Sequence, residues 1–210
     1  MKILVFDTET TGLIPKKTTS LADWPRIVQL SCLFINLDKL DEMYVDNYII
    51  KQEGLIPIES SNIHGITNEI AKEKGINIRD ALLRFVYFLD EADVIVAHNL
   101  IFDKKIIEKE LERMNYPNYF NIKKYIIYDT MKEGKSICNI VKMTKRGHGY
   151  IKWPKLTELY DYLFKPKSDC VEYTNAHNAI FDVLMTLRCY LKMNDVKTKI
   201  DFDKLYKSYL

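Results

Sequence analysis

An apolar run, Ile3-Leu4-Val5-Phe6, leads straight into Asp7-Thr8-Glu9-Thr10-Thr11-Gly12-Leu13. The run reads as a buried strand. Alternate strand residues face the same side, so Asp7 and Glu9 present two carboxylates together. Like charges at the end of a buried strand repel and are costly to desolvate, unless a divalent cation between them makes the pair favourable. One reading is therefore a metal site. The other is a strand that runs out into a solvated turn, with Thr11 and Gly12 as turn residues. Carboxylates arriving from elsewhere in the chain decide between them.

The 210 residues suit a single domain, 1–210, ending in a helical tail over 193–210. A net charge of +2 says little about partners, because a phosphate-binding site can be local. Cys32, Cys138, Cys170 and Cys189 show no Cys-x-x-Cys spacing, and neither a signal peptide nor a membrane-length apolar run is visible. The expectation is a soluble cytoplasmic protein with free thiols and no membrane partner.

Along the chain, Ile14 to Arg26 reads as a loop beside the carboxylates. Ile27 to Asn36 and Tyr44 to Ile50 read as strands joined by a Leu37 to Glu42 turn, giving an antiparallel meander with the first. Gln29 to Phe34 is similar to the short peptide that docks bacterial sliding clamps, but such a peptide must be exposed, and a core-strand role is the better assignment. Thr67 can cap a short helix to Lys74, and His64 before it is either an idle loop histidine or a ligand-contacting group. Asp80 to Asp90 is an amphipathic helix. Asp93 to Ala97 is a buried strand ending at His98-Asn99. The next helix carries Asp103 on the same face as Leu100, Ile107, Leu111 and Met114, a poor place for a structural carboxylate and a good one for a metal ligand.

Tyr125 to Tyr128 makes a fifth strand, after which Asp129 is assigned to helix capping. From Gly134 to Thr157 there is no acidic residue, while Lys135, Lys142, Lys145, Arg146, Lys152 and Lys155 alternate with His148, Tyr150 and Trp153. That is a nucleic-acid type of patch, with a solvated basic loop as the alternative. Leu156 to Phe164 is a short amphipathic helix. The last long helix runs to about Met193 and carries Asp182 in its first turns, with His177 at its entrance. Phe202, Leu205, Tyr206 and Tyr209 follow at helical spacing, covering either the chain's own core or a partner.

Asp7, Glu9, Asp103 and Asp182 thus stand at strand ends and helix starts. Carboxylate oxygens without Cys or paired His favour Mg²⁺ or Mn²⁺ over Zn²⁺, and two such ions about 4 Å apart suit phosphodiester hydrolysis. A histidine with an ordinary pKa of roughly 6.5 is suited to take the proton from the attacking water.

At these residues the chain resembles the DnaQ-like, DEDDh-type 3′-5′ exonucleases. Phe6-Asp7-Thr8-Glu9-Thr10-Thr11-Gly12-Leu13, Ala97-His98-Asn99 with Phe102-Asp103, and His177-Asn178-Ala179 with Asp182 match the three family motifs in order. His64-Gly65-Ile66-Thr67 matches a further recurrent segment. His177, five residues before Asp182, points to the histidine subgroup, since Asn178 stands where the other subgroup has Tyr. The resemblance implies an α/β, ribonuclease H-like fold with a mixed five-stranded sheet flanked by helices. It further implies two Mg²⁺ or Mn²⁺ ions held by Asp7, Glu9, Asp103 and Asp182, His177 as general base, and release of nucleoside 5′-monophosphates. Thr10, Leu13, His64, Asn99 and Phe102 would hold the terminal nucleotides. Lys145 and Arg146 are assigned, from the basic segment, to the strand leading away. The expected partners are single-stranded or frayed 3′ ends of DNA, in proofreading or repair, with any polymerase associating in trans. RNA trimming is the alternative, and a non-catalytic polymerase-associated subunit is disfavoured because all five catalytic residues are present.

Overall fold

Residues 1–17, 20–164 and 178–209 are described by a computed structural model. Alternation along β1 (Lys2–Thr10) divides the molecule into two layers. Ile3 and Val5 point to one face of the central sheet, Leu4 and Phe6 to the other, and each face carries its own apolar core. β2 (Ile27–Asn36) pairs antiparallel with β1, and β3 (Lys39–Ile49) antiparallel with β2. β4 (Val94–Ala97) and β5 (Ile126–Asp129) add parallel to β1, giving the order β3-β2-β1-β4-β5. The mixed five-stranded sheet flanked by helices is the one expected. The meander is closed more tightly than expected, because β3 begins at Lys39 and leaves only Leu37 and Asp38 between the strands.

Between β3 and β4 run α1 (Ile58–His64), α2 (Asn68–Lys74) and α3 (Ile78–Glu91). The Thr67 hydroxyl accepts from the Ile70 amide and caps α2 as expected. α1 was not foreseen, and His64 is its last residue rather than a loop residue. The helix stops there because Gly65 takes a left-handed conformation, φ 75°, that glycine adopts at no steric cost. α3 sets Leu82, Phe85, Phe88 and Leu89 against Leu4 and Phe6, together with α4 (Leu100–Arg113). Each such fully buried side chain contributes about 1.5–3 kcal/mol.

The opposite face is covered by α7 (Ala179–Met193), α6 (Leu156–Phe164) and α8 (Phe202–Lys207). The C-terminal helix covers the chain's own core: Tyr206 is buried, stacks on Phe181 at 5.4 Å and donates to the Phe181 carbonyl. Gln29 to Phe34 lies in β2, buried throughout, so the clamp-peptide likeness is a core strand.

The segment from Gly134 to Thr157 is not a loop. α5 (Thr130–Cys138) occupies its start, and β6 (Val141–Met143) and β7 (Gly149–Ile151) form a separate antiparallel hairpin. Lys152 is not free for phosphate either, because Glu158, just beyond the segment, pairs with it and also accepts from the Lys155 amide. No helix among the described residues is long and apolar enough to cross a membrane.

Candidate active site

The alternation that sorts the core also builds the site. Past Phe6 the apolar residues stop, and Asp7 and Glu9 continue the α7-facing series of Ile3 and Val5. Asp182, in the first turn of α7, meets them there. One carboxylate oxygen from each of Asp7, Glu9 and Asp182 lies within 4.8 Å of the others.

Thr8 faces the other layer. Its amide and hydroxyl donate to Asp103 Oδ1 at 3.0 and 2.7 Å, so Asp103 reaches the site from α4, past the end of β4. Asp103 is buried and stands outside the group of three, yet close enough for its charge to act on Asp7 and Glu9.

Burial, followed by the charges of Asp103, Asp182 and Glu9, holds Asp7 well above the ordinary carboxylate range. Burial and then Asp182 and Asp103 push Glu9 up to about 8. Asp103 is pushed up to about 7 by burial, with the Thr8 hydrogen bonds opposing. Such a cluster is unfavourable as bare carboxylates and fits a hard divalent cation.

The remaining expected residues are distributed around this centre. Thr10 ends β1, and its hydroxyl donates to the Gly12 carbonyl at 2.7 Å. His64 is buried, with Nδ1 accepting from the Ile66 amide at 3.1 Å and Nε2 making no hydrogen bond. Burial lowers its pKa, and the neighbouring Thr10 backbone opposes that shift. Leu13 is 84% exposed, an apolar surface beyond the strand end. Asn99 precedes α4 in a left-handed conformation, φ 74°, with no capping bond from its side chain, and Phe102 packs partly against the core. Lys145 and Arg146 lie exposed in the turn between β6 and β7. His177 lies outside the described residues, as does Cys170.

Asp129 is a cap, as expected: its Oδ1 accepts from the Asn99, Met131 and Lys132 amides at 3.1, 3.1 and 3.3 Å. It thereby ties the start of α4 to the start of α5.

A family model described as RNase_T: Exonuclease matches residues 4–190. The chain belongs to this exonuclease family. The exonuclease is a DnaQ-like 3′-5′ hydrolase, and its acidic cluster accords with the divalent-metal use that the family implies. It is 26% identical over 204 residues to the DNA polymerase III subunit epsilon of Buchnera aphidicola subsp. Schizaphis graminum, covering 97% of this chain and 78% of that one. The corresponding subunit of Buchnera aphidicola subsp. Acyrthosiphon pisum is 28% identical over 224 residues, at 99% and 83% coverage. Among solved structures, E. coli Exonuclease I in complex with a dT13 oligonucleotide superposes with a TM-score of 0.67 at 19% identity. That match covers 98% of the exonuclease and 43% of the Exonuclease I chain, so the likeness is one of fold over less than half of that protein.

Two contributors to the site were not singled out in the sequence. Gln29 on β2 lies opposite Glu9, accepts from the Ala179 amide at 3.2 Å, and donates to Asn178 and Asn47 at 3.1 and 2.8 Å. It fastens the entrance of α7 and so places Asp182. Ser31, two residues on, donates to the same Asn47 oxygen at 2.7 Å. A signal was available: Gln29 and Ser31 are polar residues two apart in a strand otherwise apolar enough to be buried, so they share one face. The second contributor is Glu110 on α4, buried, whose Oε1 meets Arg26 Nε at 2.9 Å and the Ile27 amide at 3.2 Å. Arg113 beside it donates to the Leu21 and Trp24 carbonyls, which holds the segment after Leu13 against the domain.

Proposed function

We propose that residues 1–210 form one exonuclease unit that removes nucleotides from single-stranded or frayed 3′ ends of DNA, in proofreading or repair, using two Mg²⁺ or Mn²⁺ ions. The observation that carries this reading is the convergence of Asp7, Glu9 and Asp182 within 4.8 Å, with Asp103 held behind them by Thr8. Asp7, Glu9, Asp103 and Asp182 would hold the cations, which supply charge neutralisation at the phosphodiester and activate water.

The chain's own groups do the rest. His177 takes the proton from the attacking water. Thr10, His64 and Asn99 hold the terminal nucleotide, and Leu13 and Phe102 offer apolar surface to bases. His64 is suited to this because its buried Nε2 has no partner of its own. DNA is favoured over RNA because the curated relatives are DNA polymerase III epsilon subunits and the fold relative is in complex with a dT13 oligonucleotide. The same relatives support action beside a polymerase in trans. Free thiols at Cys32 and Cys138 accord with a reducing cytoplasm.

The test offers end-labelled single-stranded DNA, single-stranded RNA and a mismatched duplex side by side, with Mg²⁺, Mn²⁺ or chelator. Stepwise release of nucleoside 5′-monophosphates from DNA, abolished by chelator, is expected. Faster hydrolysis of RNA would transfer the reading to RNA trimming.

A further inference from the structure

The β6–β7 hairpin plays no part in the carboxylate site, yet it is firmly attached beside it. His98, which follows the last residue of β4, donates through Nε2 to the Pro154 carbonyl at 3.1 Å, and its Nδ1 lies 3.0 Å from the Thr130 hydroxyl. α5 presses on the same corner: a Cβ on Gly134 would lie 2.9 Å from Leu159 and 3.4 Å from Pro154. The C-terminal ends of β1, β4 and β5 share one edge of the sheet, because these strands are parallel. Trp153 is therefore one residue from a carbonyl anchored at the edge that carries Asp7 and Glu9.

What this anchored corner presents is unusual for a surface. Trp153 and Tyr150 are 48% and 46% exposed, and with Lys135, Ile151 and Lys152 they line an open groove of about 620 Å³. Lys135 Nζ sits 4.5 Å from the centre of the Trp153 ring. Lys142, Lys145 and Arg146 extend the positive charge along the hairpin, and no acidic residue lies between Gly134 and Thr157. Exposed aromatic rings alone would suit a protein partner as well. Rings interleaved with cations, of which Glu158 pairs only with Lys152, suit a polyanion whose bases stack, which is a single strand of nucleic acid.

We propose that the Trp153 groove is a stacking subsite for the strand leading away from the scissile bond. A base stacks on Trp153 or Tyr150 while Lys135 and the hairpin cations neutralise the adjoining phosphates. Stacking of this kind is sequence-tolerant, since every base has a flat face. It keeps the shortened strand bound after each nucleotide leaves. The proposal rests on the exonuclease acting on single strands, and it adds a second contact point away from the carboxylates.

Trp24 and Trp153 are the two tryptophans, so a Trp24→Phe protein reports on Trp153 alone. Titrated in chelator with a single-stranded oligonucleotide of about twelve nucleotides, its fluorescence should be quenched. In the otherwise unaltered protein, Trp153→Ala should weaken that binding by about tenfold or more, while Trp153→Phe, which keeps a ring, retains most of it. The ratio of kcat/KM on a long strand to that on a trinucleotide should fall by a similar factor in Trp153→Ala. Unquenched fluorescence with unchanged affinity in Trp153→Ala would overturn the proposal and leave the groove to a protein partner. Failure of the unaltered protein to release any nucleotide would instead count against the exonuclease substrate reading, which the titration in chelator does not depend on.

Discussion

Asp182→Asn should stabilise the metal-free protein and abolish its turnover. Its carboxylate lies within 4.8 Å of those of Asp7 and Glu9, and it raises the pKa of both. At that separation two unit charges repel by about 0.9 kcal/mol in bulk water and about 3.5 kcal/mol at an effective dielectric of about 20. The cluster is partly buried, so about 1–2 kcal/mol per pair is reasonable. Part is already relieved near pH 7.5, because Glu9, pushed up to about 8, is then largely protonated. Asn also forgoes about 0.3–1 kcal/mol of favourable charge at the helix start. The net gain is about 1 kcal/mol, or about 2–4 °C in Tm for a chain of this size.

The pH dependence has a definite sign. Folding raises Glu9 from 4.5 to about 8 and Asp103 from 3.8 to about 7. A carboxylate raised on folding favours the native state below its unfolded pKa and loses that contribution as pH climbs through the folded value. The contribution of these two carboxylates to the metal-free protein should thus be full below about pH 4 and fall until about pH 8. Asp182→Asn should flatten the fall. With Mn²⁺ at a hundredfold above Kd the unaltered protein gains about 2.7 kcal/mol, and the variant, short of a ligand, gains less. Losing about 4 kcal/mol at the transition state lowers turnover on the order of a thousandfold. Thermal denaturation of both proteins at pH 5 and 8, in chelator and in Mn²⁺, is the assay. A variant no more stable than the unaltered protein in chelator at pH 8, with an equal rise in Tm on adding Mn²⁺, would refute the reasoning.

His177→Ala should slow turnover by roughly a hundredfold or more and remove the limb of the pH profile over which activity rises as the imidazole loses its proton; an unchanged profile would assign that proton to another group. Gln29→Ala should cost about 1–3 kcal/mol in chemical denaturation, since it strands the Ala179 amide and removes one of the two donors to each of Asn47 and Asn178, and should lower kcat by displacing Asp182. Undisturbed kcat would show that α7 is placed without it. Changing Lys145 and Arg146 together to Ala should flatten the slope of log affinity against log salt by roughly 1.4 for a long oligonucleotide in chelator, if both meet phosphate. An unaltered slope would mean that the hairpin turn is only solvated.

What could be read from the sequence was what is decided within a few residues. Alternation placed Asp7 and Glu9 on one face because neighbouring strand side chains must point opposite ways. The caps at Thr67 and Asp129 follow from short side chains beside orphan amides, and the apolar stripe of α3 from helical spacing. The four carboxylates were named the same way, each by its misfit with an apolar setting. Their distances were not legible. Thr8 and Asp103 are 95 positions apart, and Gln29 and Asn178 are 149 apart, so only packing of α4 and α7 on opposite faces of the sheet could bring these atoms together. The hairpin escaped because its strands are three residues long and exposed on both sides, too short to show an alternation. The C-terminal helix has an apolar face in either setting, and it was the ring and carbonyl of Phe181 on α7 that gave Tyr206 its place.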